Sequence, residues 1–182
     1  MKKLKKKGMV AFLLSITITL FSFNTASPQA GIDVNAKTKA IFIYNFSKYV
    51  EWPQSALSEN FRIGILGEYP NLLKELNNMA STKKRGFQSF EITNFSAVDQ
   101  INQCQILYVD KNKSEEIENI IKKLNGTSTL LVTDKEGFAL KGAAINLLYN
   151  QNKQKMEINT TTIEKYNLKV SSQLLALAIV VN

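Results

Sequence analysis

Between Phe61 and Val132 short apolar runs alternate with stretches of helical periodicity, and this alternation constrains the fold more than any other feature. Phe61-Arg62-Ile63-Gly64-Ile65-Leu66 reads as a buried strand that ends at Gly67. Pro70 to Met79 reads as a helix carrying Leu72, Leu73, Leu76 and Met79. Gly86 to Phe95 alternates polar and apolar residues as a strand does, with Phe87, Phe90 and Ile92 on the apolar side. A short helix is expected near Ala97–Asn102, and Gln105 to Val109 is a strongly apolar strand. Ser114 is the expected N-cap of a helix with Glu115 and Glu116 in its first turn. Ile117, Ile120, Ile121 and Leu124 form its apolar side, and Asn125-Gly126 ends it. Thr129 to Val132 is the next strand. Strands separated by helices predict a parallel sheet covered by helices.

The flanking segments complete the pattern. Asp33 is a plausible N-cap for a helix over Val34–Val50. Phe42, Phe46, Tyr49 and Val50, with Ile43 beside them, predict a core-facing stripe, while Lys37, Ser47 and Lys48 fall on the other side. Pro53 disfavours helical geometry at Trp52 and should stop the helix there. After Asp134 the runs Ala144–Tyr149 and Lys155–Asn159 read as a hairpin joined by the polar turn Asn150-Gln151-Asn152-Lys153. A helix is expected over Thr161–Tyr166. A last apolar helix is expected from Ser171 or Ser172 through Leu174, Leu175, Leu177, Ala178 and Val181. The predicted fold class is α/β: a mixed, mostly parallel sheet flanked by helices in Rossmann-like layers, with a C-terminal β-hairpin.

Residues 1–30 have the anatomy of a secretory signal. A basic Met1–Gly8 segment precedes an apolar Met9–Phe23 stretch, and small and polar residues follow to Ala30. The apolar stretch is shorter than the roughly 20 residues that span a bilayer. An uncleaved N-terminal anchor is the rival reading, and Ala26 and Ala30 are both cleavage candidates. The expected organisation is a signal peptide over residues 1–30 and one α/β domain over residues 31–182, located in the periplasm. Five of the lysines lie in the signal, so the formal charge drops from +8 for the whole chain to +3 for the remainder. The basic run Lys83-Lys84-Arg85 reads as a solvated turn and not as a nucleic-acid site.

The composition excludes several chemistries. There is no histidine and one cysteine, Cys104. Ser-His-Asp and Cys-His nucleophilic sites are therefore excluded, as are histidine-containing zinc sites and internal disulfides. Cys104 borders Ile106-Leu107-Tyr108-Val109 and is expected to be buried as a small hydrophobe. Glu68, Asp110 and Asp134 follow successive strands. Two readings stand: turn acids that satisfy local backbone groups, or three acids at one sheet edge holding a cation or a phosphoryl group. The residues point to no catalytic site, cofactor or metal. Trp52, the single tryptophan, either folds over the helix exit or anchors a partner or apolar ligand. The candidate partner contacts are Tyr49, Trp52 and Pro53.

The chain resembles the YfiR-type family of exported proteins. The resemblance rests on Ala40–Val50 followed by Glu51-Trp52-Pro53, on Phe61–Gly67, and on Cys104-Gln105-Ile106-Leu107-Tyr108-Val109. It continues through Leu130–Asp134 with Gly137-Phe138, Gly142 with Ala144-Ile145-Asn146, Met156–Asn159, and Leu168 to Ala178. Each motif is mostly hydrophobic, and their order and spacing make the match. The resemblance implies a non-enzymatic periplasmic repressor. Such a protein engages the exported sensor region of an inner-membrane diguanylate cyclase and thereby limits cyclic di-GMP and biofilm formation. Other membrane signalling proteins, such as sensor kinases, are alternative partners, and a homo-oligomer is compatible with the family. Some relatives carry disulfide pairs, which one cysteine cannot reproduce. A second function class is a small-molecule binding domain whose ligand occupies the strand-end crevice.

Overall fold

The computed structural model of the chain describes residues 34–57, 59–150 and 153–182. The expected signal segment, the Asp33 cap and two residues of the hairpin turn, Gln151 and Asn152, lie outside the described residues. In chain order the elements are helix α1 (Val34–Tyr49), β1 (Val50–Glu51), β2 (Phe61–Leu66), α2 (Pro70–Thr82), β3 (Lys84–Arg85), β4 (Gln88–Phe95) and β5 (Ile106–Val109). They continue with α3 (Ile117–Lys123), β6 (Leu130–Thr133), β7 (Ile145–Asn150), β8 (Lys153–Asn159), α4 (Thr160–Lys165), β9 (Lys169–Val170), α5 (Ser172–Leu175) and β10 (Ile179–Val181).

The main sheet has the order β10-β8-β7-β6-β5-β2-β4-β3. Its centre is parallel: β2 pairs with β4 and β5, β5 with β6, and β6 with β7. The β7–β8 hairpin and the β3–β4 hairpin are antiparallel, so the sheet is mixed and mostly parallel, as the alternation predicts. Every residue of β5 and β6 is buried, and β2 is buried except at Arg62, which is half-buried. Strands covered on both faces need apolar side chains at consecutive positions, which explains the unbroken runs.

Helix α1 buries Ala36, Ala40, Ile43 and Phe46, a stripe at helical spacing, and Val50 directly after it is buried too. Full burial of a side chain such as Phe46 contributes about 1.5–3 kcal/mol. This stripe is rotated from the predicted one. The small Ala36 and Ala40 face the core, Phe42 is half-buried, and Tyr49 is 41% exposed.

Three further expectations are corrected. The strand predicted over Gly86–Phe95 starts at Gln88. Gly86-Phe87 is the two-residue turn between β3 and β4, with Gly86 at φ 57°, so Phe87 projects fully into solvent. Ser114 does not cap a helix. A 3-10 segment begins at Lys111, where the Asp110 carboxylate accepts from the Asn112 amide, and α3 starts only at Ile117. The predicted last helix is a single turn, capped by Ser171, after which Ile179-Val180-Val181 forms β10 parallel to β8. A run of β-branched side chains loses rotamer freedom in a helix and suits a strand, and the open edge of β8 supplies the pairing.

Candidate functional site

Two clusters of side chains outside ordinary core packing stand out, at opposite ends of the central strands. The first surrounds the exit of α1. Val50 and Glu51 leave the helix as an extended pair and join β9 antiparallel, Val50 opposite Val170 and Glu51 opposite Lys169. The Ser171 amide donates to the Tyr49 carbonyl oxygen at 2.9 Å and closes this ribbon. Trp52 is thereby turned inward, 7% exposed, with its indole edge-on to the Phe61 ring at 5.0 Å between centroids. Its Nε1 donates to the Gln105 carbonyl oxygen. The Arg85 guanidinium stands 5.6 Å from the Trp52 ring and 5.1 Å from the Phe61 ring. Its Nε donates to the Ser47 carbonyl oxygen at 2.6 Å and its Nη1 to Gln88 Oε1 at 2.9 Å. Partial burial pulls its pKa below the ordinary arginine value.

The three sequence candidates therefore occupy different layers. Tyr49 offers its ring to solvent, and Pro53 is half-buried. Most of Trp52 is core. Trp52 and Pro53 still line a shallow cavity of about 220 Å³ with Glu51, Asn167 and Lys169. Arg85 and Gln105, which hold the Trp52 ring, were not singled out in the sequence, where Lys83-Lys84-Arg85 reads as a uniform solvated run.

The second cluster lies at the carboxyl ends of the parallel strands. From β2 the chain moves outward to β4, then crosses back to β5 on the other side of β2. The switch in winding direction thus falls between β2 and β5, the usual place for a ligand crevice in an open sheet. Here the three strand-end acids have separate roles. Glu68 is exposed, and Asp110 caps the Asn112 turn. Asp134 Oδ2 accepts from Lys39 Nζ at 2.5 Å and from the Tyr108 hydroxyl at 2.7 Å. The Lys39 ammonium also lies 4.9 Å from the Tyr69 ring and 5.8 Å from the Tyr108 ring. Asp134 Oδ1 is buried and has no hydrogen-bond partner among the described residues. Burial, and secondarily the Asp134 carboxylate, push the Tyr108 hydroxyl far above its ordinary pKa.

Gly67, at φ 108°, ends β2, and a Cβ there would meet the Asp110 Cβ at 2.9 Å and Lys113 Cγ at 3.1 Å. The loops after β2 and β5 therefore touch. A cavity of about 230 Å³ lies beside them, lined by Gly67, Glu68, Ser96, Asn112 and Lys113. Among the described residues no three histidine, cysteine, aspartate or glutamate side chains converge as a metal site. Cys104 is 4% exposed, and burial pushes its thiol up to about 12, against a backbone hydrogen bond from Gly64 and the charge of Arg62. Such a thiol holds almost no thiolate at neutral pH and is a packing residue.

A family model described as YfiR/HmsC-like matches residues 36–179. The chain belongs to the YfiR/HmsC-like family, a family of periplasmic regulators. No curated protein matches it. Among solved structures, a conserved domain protein from Vibrio cholerae O1 biovar El Tor is similar at a TM-score of 0.57 and 13% identity, over 81% of this chain and 60% of that one. The ABC domain of Streptococcus pneumoniae in complex with L-Trp is similar at a TM-score of 0.53 and 11% identity, again over 81% and 60%. This chain spans 60% of the length of each, and the likeness is one of fold. No described helix is long and apolar enough to cross a membrane.

Proposed function

We propose that this protein is an exported binding regulator that represses or modulates an inner-membrane signalling protein through that protein's periplasmic region. A diguanylate cyclase is the first candidate, which would make cyclic di-GMP the regulated output, and a sensor kinase is the second. The family match over residues 36–179 carries this reading. Regulation works by contact and not by catalysis, in line with a sequence that lacks histidine. Tyr49, Pro53 and the accessible edge of Trp52 form the contact surface. In support, Tyr49 is an exposed aromatic ring at the end of α1, and Trp52 and Pro53, which follow it closely in the chain, line a cavity. Aromatic anchors beside pockets are favoured as interface hot spots.

The test is direct. The purified exported region of a membrane cyclase or sensor kinase from the same cell, immobilised on a sensor surface, should bind this protein, and Tyr49→Ala should weaken binding. Removal of the gene should raise cyclic di-GMP when the partner is a cyclase. Absence of binding to any such exported region would sink the proposal.

A second reading, a small-molecule sensor domain, is favoured by one specific observation. Asp134 Oδ1 is a buried, unpartnered carboxylate oxygen beside the winding switch of the sheet, where a ligand could donate to it. Ligand occupancy there could feed the same regulation through Lys39 on α1.

A further inference from the structure

The outer side of α1 and α2 is predominantly basic. Helix α1 contains Lys37, Lys39 and Lys48 and no acidic residue. Helix α2 contains Lys74 and Glu75, and Lys83 and Lys84 follow it. Lys39 is engaged by Asp134. Lys37, Lys48, Lys74, Lys83 and Lys84 are exposed, and none of them takes part in an ion pair among the described residues. The half-buried Glu75 is the single acid set against these five lysines, so the face has a formal charge of +4. The chain beyond residue 30 totals +3. The net positive charge is therefore concentrated on this face, and the rest of the domain is close to balanced.

Between the two helices lies a cavity of about 250 Å³. Its apolar lining comes from Ala40, Ile41, Tyr44 and Met79, its polar lining from Asn78 and Thr82, and its charged lining from Lys37 and Lys83 against the one acid Glu75, so the groove itself is net positive. Ile41 is 53% exposed, and the Lys48 ammonium lies 4.3 Å from the Tyr44 ring. Lys37, Ile41, Tyr44 and Lys48 recur at spacings of four, three and four and so share one face of α1.

We propose that this groove seats an acidic amphipathic helix of a protein partner, with one apolar side chain between Ile41 and Met79 and carboxylates facing Lys37, Lys83 and the neighbouring lysines. The inference rests on the reading of the protein as a binding regulator and names the chemistry of the partner. The groove between two packed helices accepts a third helix along its length. Its volume is below the several hundred Å³ of a typical small-molecule pocket and suits one large side chain. Its concavity favours an inserted side chain over a lipid surface, which is better met by protruding apolar residues. Opposite charge selects the partner and speeds its encounter.

Two labelled helical peptides with the same leucine stripe test this, one with glutamate and one with lysine along the polar face. By fluorescence anisotropy the glutamate peptide should bind and the lysine peptide should not, and salt on the order of 0.5 M should weaken binding. Ile41→Asp, and separately Lys37→Glu combined with Lys83→Glu, should each lower affinity at least about tenfold. All three side chains are exposed, so unchanged melting curves should accompany these losses. Equal binding of both peptides, binding of neither, or glutamate-peptide binding untouched by the variants overturns the groove assignment. Retention on phosphatidylglycerol vesicles without peptide binding transfers the face to a lipid surface and likewise overturns it. Full-strength binding of the groove variants to the partner's exported region overturns the groove alone, whereas the regulator reading fails when the unaltered protein binds no such region.

Discussion

The Trp52 indole Nε1 donates to the Gln105 carbonyl oxygen at 3.2 Å, which ties the exit of α1 to the start of β5. The Gln105 side chain extends the tie: its Nε2 donates to the Ala56 carbonyl oxygen at 2.6 Å, and its Oε1 accepts from the Arg62 amide at 2.7 Å. One glutamine thus joins the helix exit, the loop after it and two central strands. Trp52 is part of this staple as well as a neighbour of the cavity at Pro53.

Trp52→Ala should therefore cost about 3–5 kcal/mol of stability, the range for removing a large buried ring. Tyr49→Ala should stay within about 0.5 kcal/mol, because Tyr49 is 41% exposed. On the regulator reading, Tyr49→Ala should weaken partner binding by about 2 kcal/mol. Urea denaturation and titration of the partner's exported region, corrected for folded fraction, separate the two effects. Equal stability losses at both positions would contradict the layered placement of the two rings.

Asp134 and Lys39 form a pair whose side chains are 7% and 12% exposed. Asp134→Ala leaves the Lys39 ammonium without its carboxylate and the Tyr108 hydroxyl without its acceptor, and should cost about 3–5 kcal/mol. Replacing both partners with apolar side chains, Lys39→Met with Asp134→Leu, should recover most of that loss, since no uncompensated charge remains. A double-mutant cycle by denaturation measures the difference. Additive losses would show that the two groups do not depend on each other.

The sheet and its order of elements were legible in the sequence because β2, β5 and β6 are covered on both faces and need consecutive apolar residues. The family was legible in part for the same reason, since several of its motifs are those strands. Edges and charged contacts were not. Nothing local in Ile179-Val180-Val181 tells a strand from the tail of an apolar helix until β8 provides an edge. Tyr49 sits at a helical spacing from Phe46 and Phe42, yet the stripe turns toward Ala36 and Ala40 because small residues allow close approach. Lys39 reads as one more surface lysine, and only the fold brings it to Asp134, 95 residues away. Arg85 was hidden likewise in a run of three basic residues.

Gly64 is the point of closest approach in the sheet centre. A Cβ built there would lie 2.7 Å from Phe95 Cε2 and 3.1 Å from Leu107 Cδ1. Phe95 and Leu107 are 3% and 0% exposed, so any shift must be taken up inside the core. Gly64→Ala should destabilise by about 1–3 kcal/mol through overpacking, despite the usual gain from restricting an unfolded glycine. Thermal melting measures this, and a raised melting temperature would show that the core yields there.

Alkaline pH should expose the buried Cys104. Burial raises its pKa from 9.0 to about 12 in the folded state. Below 9.0 both the folded and the unfolded chain hold the proton. Between 9.0 and about 12 the unfolded chain releases it while the folded chain keeps it, so stability falls as pH rises. The slope for this one group is about 1.4 kcal/mol per pH unit in that window. Tyr108 and Tyr166 are shifted in the same direction from 10.0, so the decline should steepen above that value. Cys104→Ala should remove the part of the decline that begins near 9.0 and retain the tyrosine part. Urea midpoints followed across this range, with the slope and not the baseline compared, separate the two contributions. Below the window a thiol reagent should label Cys104 slowly until denaturant is added. A wild-type profile that is flat from 9.0 to 10.0, or rapid labelling of the folded protein, would place the thiol in contact with solvent and reopen a redox role for it.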